Sequence, residues 1–406
     1  MQARAEVYHR FCAENEIKTN PHVSDVLGKT PKTKKSVWKL CGNNKLNPFP
    51  RLDDEDALAL SKCLLNTTDV TALDLSYNNI TDKGVKHLAE LLQGENSLRS
   101  LDLTFNDIGE SGAQLLSQSL QSNTTLLSLT LSGNKVKNVG AMRLADLLQV
   151  NHALQELRLE HCDLDTQSVI AFAIVLKSNR TLLSLDISRP LLFGHQEEWA
   201  VHFSQMLAVN RSLQELHLGA MGIMSSGIER LSKALLFNHS LKYLNLRGNR
   251  VTRDDVLPLV DALVRKDSAL EVLDLTANQV EDEGAEYLSG ALASPNCSLK
   301  ELSLSSNSIR TAGLLSLAKA LDQNSTLTHI YIWGNHFEDP VCLAFRALMD
   351  KGRLHCDHTD VRAYEVDGRV FLAQVFQTLR RRFCKIPEND SSDDAGHEPK
   401  GIKFFV

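Results

Sequence analysis

One spacing dominates this chain of 406 residues. Leu98, Leu101, Leu103, Asn106 and Ile108 return 28 residues later as Leu126, Leu129, Leu131, Asn134 and Val136. The Asn position can be followed through residues 78, 106, 134, 162, 190, 221, 249, 278, 307 and 335, at spacings of 28, 28, 28, 28, 31, 28, 29, 29 and 28. Seven of these ten places hold Asn, and Cys162, Pro190 and Met221 hold the other three. A fixed period overrides the expectation of two or three globular domains that the length alone would set, because repeats grow by stacking each unit on its neighbour.

Each repeat divides into parts with different physical tasks. The Leu-x-Leu piece alternates, which predicts a short strand with its leucines inward and the residue between them outward. A buried Asn after the strand can hydrogen-bond a turning backbone whose polar groups would otherwise go unpaired. Six residues later Gly stands at 84, 112, 140, 227, 284 and 313, opening segments such as 140–148, whose apolar residues at i, i+4, i+7 and i+8 mark one helix face. Asn123, Asn151, Asn179, Asn210, Asn238, Asn296 and Asn324 stand three residues before the next repeat's first Leu. They suit a helix ending in a left-handed residue. Several of them create Asn-x-Ser/Thr sequons, Asn123 and Asn238 among them, but their spacing follows the repeat and is read as structural rather than as glycosylation. Strand and helix alternating in this way stack into a parallel sheet with helices outside. Strands need about 4.8 Å and packed helices about 8–10 Å, so such an array curves, with a strand-lined inner wall as its expected binding surface.

The ends of a stacked array need caps. Residues 1–36 form an N-terminal extension without a repeat, and residues 37–69 read as an N-terminal cap, with Val37–Leu40 imitating a strand, Asn43 or Asn44 the ladder residue, and Asp56–Leu64 a helix. Residues 70–353 hold the ten repeats. Residues 354–384 read as a C-terminal cap whose Val361–Val366 and Arg369–Leu372 flank an Asp367-Gly368 hairpin turn. Residues 385–406 read as a flexible tail. The fifth repeat carries three extra residues, read as a longer loop with Trp199 filling the core, with a partner-contacting bulge left open.

Composition narrows the function. With 43% hydrophobic and 23% charged residues and a net charge of -6, the chain reads as a folded protein without the positive charge of a nucleic-acid binder. No run of 18 apolar residues occurs, and the start lacks a signal-peptide pattern, so no membrane partner and a cytoplasmic location are expected. Eight cysteines without paired spacing suit free thiols. Gly28-Lys29-Thr30 resembles the end of a phosphate-binding loop, but Val23 stands where that loop needs Gly. The run His355-Cys356-Asp357-His358 holds four ligand-capable residues, yet zinc sites use two paired sets, and it reads as a solvated turn. With no nucleophile or metal motif, no catalytic residues, cofactor or small-molecule substrate are expected. The basic residues Lys29, Lys32, Lys34 and Lys35 read as a solvated tail, with a nuclear address and a contact for an acidic partner left open, and Arg380–Arg382 reads similarly.

The 28-residue pattern, with Asn in the turn and Gly opening a helix, resembles the ribonuclease-inhibitor class of leucine-rich repeats over residues 70 to about 353. The resemblance implies an α/β leucine-rich-repeat solenoid, a horseshoe with a parallel concave sheet and convex helices. The dense periodic cysteines of ribonuclease inhibitor are missing, as is the nucleotide-binding domain of NOD-like receptors. Within that class, ten repeats followed by Asp360–Ala373 resemble proteins associated with ciliary axonemes, as parts of radial spokes, and with the nucleolus of stem and germ cells. Both locations are what the resemblance implies.

The outward strand positions run Asp74, Asp102, Thr130, Arg158, Asp186, His217, Asn245, Asp274, Ser303 and Tyr331, an inner wall that begins acidic and ends aromatic. From these, Asp74, Asp102, Arg158, Asp186, His217, Tyr243, Asn245, Tyr331 and Trp333 are expected to contact a protein partner on the concave face. Tyr331 and Trp333 are expected as exposed anchors unless the C-terminal cap covers them. Tyr77 and Phe105, in equivalent places one repeat apart, are expected to stack. The expected function is a non-enzymatic scaffold, with likeness to Ran GTPase-activating protein making regulation of a small GTPase the alternative.

Overall fold

A computed structural model describes residues 4–29, 36–44, 48–192, 197–377 and 379. The chain divides into two compact units, one running to residue 194 and the other beginning at 195. In the first, the strands Ser36–Lys39, Val70–Asp74, Ser100–Asp102, Ser128–Thr130, Glu156–Arg158 and Ser184–Asp186 pair in parallel with their sequence neighbours. Glu215–His217, Tyr243–Asn245, Val272–Asp274, Glu301–Ser303 and His329–Tyr331 do the same in the second. A helix follows each strand, as Asp82–Gln93 follows Val70–Asp74, and its apolar stripe is buried as the period predicts: Gly140, Leu144, Leu147 and Leu148 all lie in the core.

The expected Asn ladder is present. Asn134 is 1% exposed; its Nδ2 donates to the Leu131 and Leu103 carbonyls at 2.8 Å, and its Oδ1 accepts the Ile108 N–H at 3.0 Å. Asn78, Asn106, Asn249, Asn278, Asn307 and Asn335 bond in the same manner to the preceding turn. Each side chain therefore satisfies the backbone of two repeats at once, where a buried unpaired carbonyl would cost about 1–3 kcal/mol. Cys162 replaces the amide with a thiol whose Sγ donates to Leu131 O at 3.1 Å, and burial holds that thiol at about 12, so it keeps its proton. The residue before each ladder position is left-handed in every repeat, from Tyr77 (φ +59°) and Phe105 (+51°) to Gly334 (+82°). Only three of these ten are glycine.

One sequence expectation needs correction. The asparagines after the helices are not left-handed: Asn151, Asn210 and Asn324 have φ between -72° and -82° with extended ψ. Instead they form a second ladder. Asn151 Nδ2 donates to Leu120 O, 31 residues back, while its Oδ1 accepts the N–H groups of Ala153 and Leu154. Asn123, Asn179, Asn238 and Asn324 reach the preceding repeat in the same way. Asn296 does not join it: the repeat there is one residue longer, and the side chain is exposed beside buried Cys297. The helix-opening glycines have a specific task. Asp54 Oδ1, from the preceding helix, accepts the N–H groups of Thr81 and Gly84, and a Cβ on Gly84 would lie 2.5 Å from that oxygen. Asp82 and Asp282 meet Gly112 and Gly313 likewise, so a carboxylate of one repeat caps the helix of the next.

Trp38 and Leu40 are buried on the end strand, but Asn43 and Asn44 are both exposed, so neither holds a ladder position. Residues 4–29 fold as two helices, Arg4–Glu14 and Pro21–Lys29, and the first packs on Asp54–Leu64. Asn20 ties them down, its backbone N–H donating to Tyr8 Oη and its Nδ2 to Asp56 Oδ2. Gly28 and Lys29 lie at the end of the second helix, not in a phosphate loop. Trp199 is buried against Phe203, as expected, and the inserted loop at 193–196 lies outside the described residues. At the far end Val361–Val366 and Arg369–Gln374 pair as an antiparallel hairpin, turning at Asp367 and Gly368 with φ of +50° and +77°. Cys384, Arg380–Arg382 and the tail also lie outside the described residues.

Candidate protein-binding surface

In the first unit the strand face is polar and locked from beneath. Asp74 Oδ1 accepts the backbone N–H and the hydroxyl of Ser76, and Asp102 Oδ1 accepts both from Thr104. Asp186 accepts the Ser188 N–H. The acidic row is therefore largely turned onto its own turns. Burial pushes the Asp102 carboxyl above its ordinary value, against the pull of Thr104 and Arg158. Asp74, Asp102 and Arg158 remain half-buried, whereas Asp186 is fully buried and Thr130 nearly so. Arg158 pairs with buried Glu156, whose other oxygen accepts from Ser128 at 2.7 Å. Tyr77 and Phe105 stack at 5.0 Å as expected, and Phe105 covers Gly133, where a Cβ would strike its ring.

The strand face of the second unit departs further from expectation. His217, Tyr243 and Tyr331 are 1%, 3% and 4% exposed, so none stands out as a free anchor. The reason is packing along and across strands: the neighbouring parallel strand brings the Tyr243 ring to 4.8 Å from His217 and Asn245 within reach of it, while Glu215 meets it from its own strand. Asn245 stays half-buried, its Oδ1 accepting the Arg247 N–H. Asp274 accepts from Thr276, and burial raises its carboxyl. Tyr331 and Trp333 part company. Tyr331 is buried with its ring stacked on His329, which itself packs against His358 of the cap at 4.0 Å, while Trp333 keeps a half-exposed ring beside Phe337. Asp360, quoted from the sequence only as part of the run Asp360–Ala373, fastens the cap by accepting the N–H groups of Ile332 and Trp333 and the Ser305 hydroxyl.

Of the row two residues before the middle position, the sequence reading named only Tyr243. Glu156, Glu215, Glu301 and His329 share the strand face with Arg158, His217, Ser303 and Tyr331, and the period of two that places one row also places the other.

Six segments, residues 68–89, 95–117, 122–145, 237–260, 268–289 and 296–318, match the model of the family described as leucine rich repeat. Over 387 residues the chain is 48% identical to leucine-rich repeat-containing protein 34 of Mus musculus, covering 94% of this chain and 93% of the relative. The chain belongs to that family. The rat protein of the same name is 45% identical over 95% of this chain and 94% of its own length, and the human one 45% identical over 93% and 82%. Two solved structures share 18% identity. Leiomodin-1 actin-binding site 2 has a TM-score of 0.34 over 38% of this chain and 88% of its own. The yeast Rad7 and Elc1 complex has a TM-score of 0.45 over 83% and 89%. Membership in the leucine-rich repeat-containing protein 34 family agrees with the leucine-rich-repeat fold of both units and with a protein-binding scaffold. Among the described residues, no helix is long and apolar enough to cross a membrane.

Proposed function

We propose that this member of the family is a non-enzymatic scaffold that holds a protein partner on its strand faces within a multiprotein assembly. The observation that carries the reading is the locking of those faces. Asp74, Asp102, Asp186, Asn245 and Asp274 each accept the N–H two residues on, so the surface meets its partner already ordered and little side-chain entropy is lost on binding. Of the residues read as partner contacts, Asp74, Asp102, Arg158, Asn245 and Trp333 stay accessible, with His329 and exposed Phe105 nearby. The assembly is the ciliary axoneme, within the radial spokes, on the strength of the resemblance in repeat number and in Asp360–Ala373; the nucleolus is the second location, and small-GTPase regulation the competing activity. Affinity purification from ciliated tissue, with the tagged chain and its Trp333→Ala and Phe105→Ala variants, tests the reading. Axonemal proteins should be retained by the parent chain and lost from at least one variant that melts normally. Stimulated GTP hydrolysis by the purified chain, or an unchanged partner set in both variants, would overturn it.

A further inference from the structure

We propose a zinc site at the C-terminal cap, formed by His355, Cys356 and Asp357. Three consecutive residues seldom converge, but here a 3-10 turn at Cys356–His358, opened by His355, folds them back on one another. His355 Nδ1 lies 3.9 Å from Cys356 Sγ and 3.4 Å from Asp357 Oδ2, and Sγ lies 3.8 Å from Asp357 Oδ1. Tetrahedral zinc, with bonds of about 2.0 Å to N and O and about 2.3 Å to S, separates its ligand atoms by about 3.3–3.5 Å. With one atom from each residue the three donors lie within 4.8 Å of one another, so side-chain rotation has to bring them together by up to about an ångström and a half. All three side chains are exposed, so an ion reaches them without opening the fold.

The surroundings supply the parts that the sequence could not show. Gln377 donates to Asp357 Oδ1 at 3.3 Å, orienting the carboxylate from outside, and water takes the fourth position, since His358 does not join the cluster. His355 Nδ1 accepts the Asp357 N–H at 3.3 Å, so its lone pair already faces this side; the ion takes over that pair. On binding, Cys356 loses its thiol proton to the solvent and remains as thiolate. Because the His358 ring lies 4.0 Å from His329 on the last strand, the ion would stiffen the cap where it covers the end of the repeats.

Cobalt titration of the chelator-stripped full chain tests this. One Co2+ per chain should give the thiolate charge-transfer and tetrahedral d–d bands, and Zn2+ should displace it. Cys356→Ser should abolish the charge-transfer band, and His355→Ala and Asp357→Asn should each weaken binding by about tenfold or more, with circular dichroism unchanged because these side chains lie on the surface. A band that survives in Cys356→Ser would assign the ion to other cysteines and overturn the site. So would the lack of any band in the parent chain.

Discussion

Replacing Asp360 probes how the end of the array is sealed. Its carboxylate accepts the Ile332 N–H at 2.7 Å, the Trp333 N–H at 3.1 Å and the Ser305 hydroxyl at 2.6 Å, joining the start of the hairpin to the last strand and to the turn before it. Hydrogen bonds to a charged group contribute about 1.5–3 kcal/mol each. Ile332 is fully buried, so in Asp360→Ala its N–H has no replacement partner, whereas Ser305 and Trp333, both half-buried, regain water. The expected loss is therefore about 3–5 kcal/mol, nearer one buried and one shared bond than three full ones. Asp360→Asn keeps an oxygen for the two N–H groups and should cost about 1 kcal/mol. Urea denaturation measures the totals, and hydrogen exchange of residues 361–374 localises them: hairpin protection should fall in Asp360→Ala and persist in Asp360→Asn. If Asp360→Ala unfolds within about 0.5 kcal/mol of the parent chain, or loses protection elsewhere first, the reasoning that this carboxylate seals the array fails.

Other perturbations test the stack, the N-terminal cap and the sequons. Leu131→Ala empties a fully buried position and should cost about 2–5 kcal/mol in denaturant melts, spread over the adjoining repeats; a loss under 1 kcal/mol would contradict the stacked core. Burial raises the Asp56 carboxyl from 3.8 to about 6, so the folded chain holds that proton more tightly than the unfolded one. Its stabilising contribution is full below about pH 4 and lost as pH rises through about 6. That shift corresponds to about 3 kcal/mol, and Asp56→Asn should flatten the change in urea midpoint across this window. Mass spectrometry of the native protein should find Asn123 and Asn238 without glycans, since both are buried with Nδ2 donating to the preceding repeat; occupied sites would mean that the second ladder is not formed.

The sequence by itself determined the repeat, its parts and its ends. Leucines at a fixed period can be buried only between like neighbours, Asn134 follows its strand wherever the strand lies, and Asp367-Gly368 is a turn by its own backbone preference. Trp199 in the core and the stacked Tyr77 and Phe105 were legible for the same reason, because each depends on position within one repeat or on its equivalent in the next.

What depended on atoms 26–31 residues away was decided by tertiary structure. The asparagines after the helices look like left-handed caps until the carbonyl of the previous repeat arrives to take their amide, as Leu120 O does for Asn151. Gly84 marks a helix start in the sequence, but the space that requires it belongs to Asp54. Outward strand positions read as exposed because a strand alternates, yet neighbouring strands a few ångströms apart bury His217 and Tyr331, and the cap packs against the His329 ring stacked on the second of them. Local periodicity fixes which way a side chain points; only the packed neighbours fix whether anything is left there for a partner to touch.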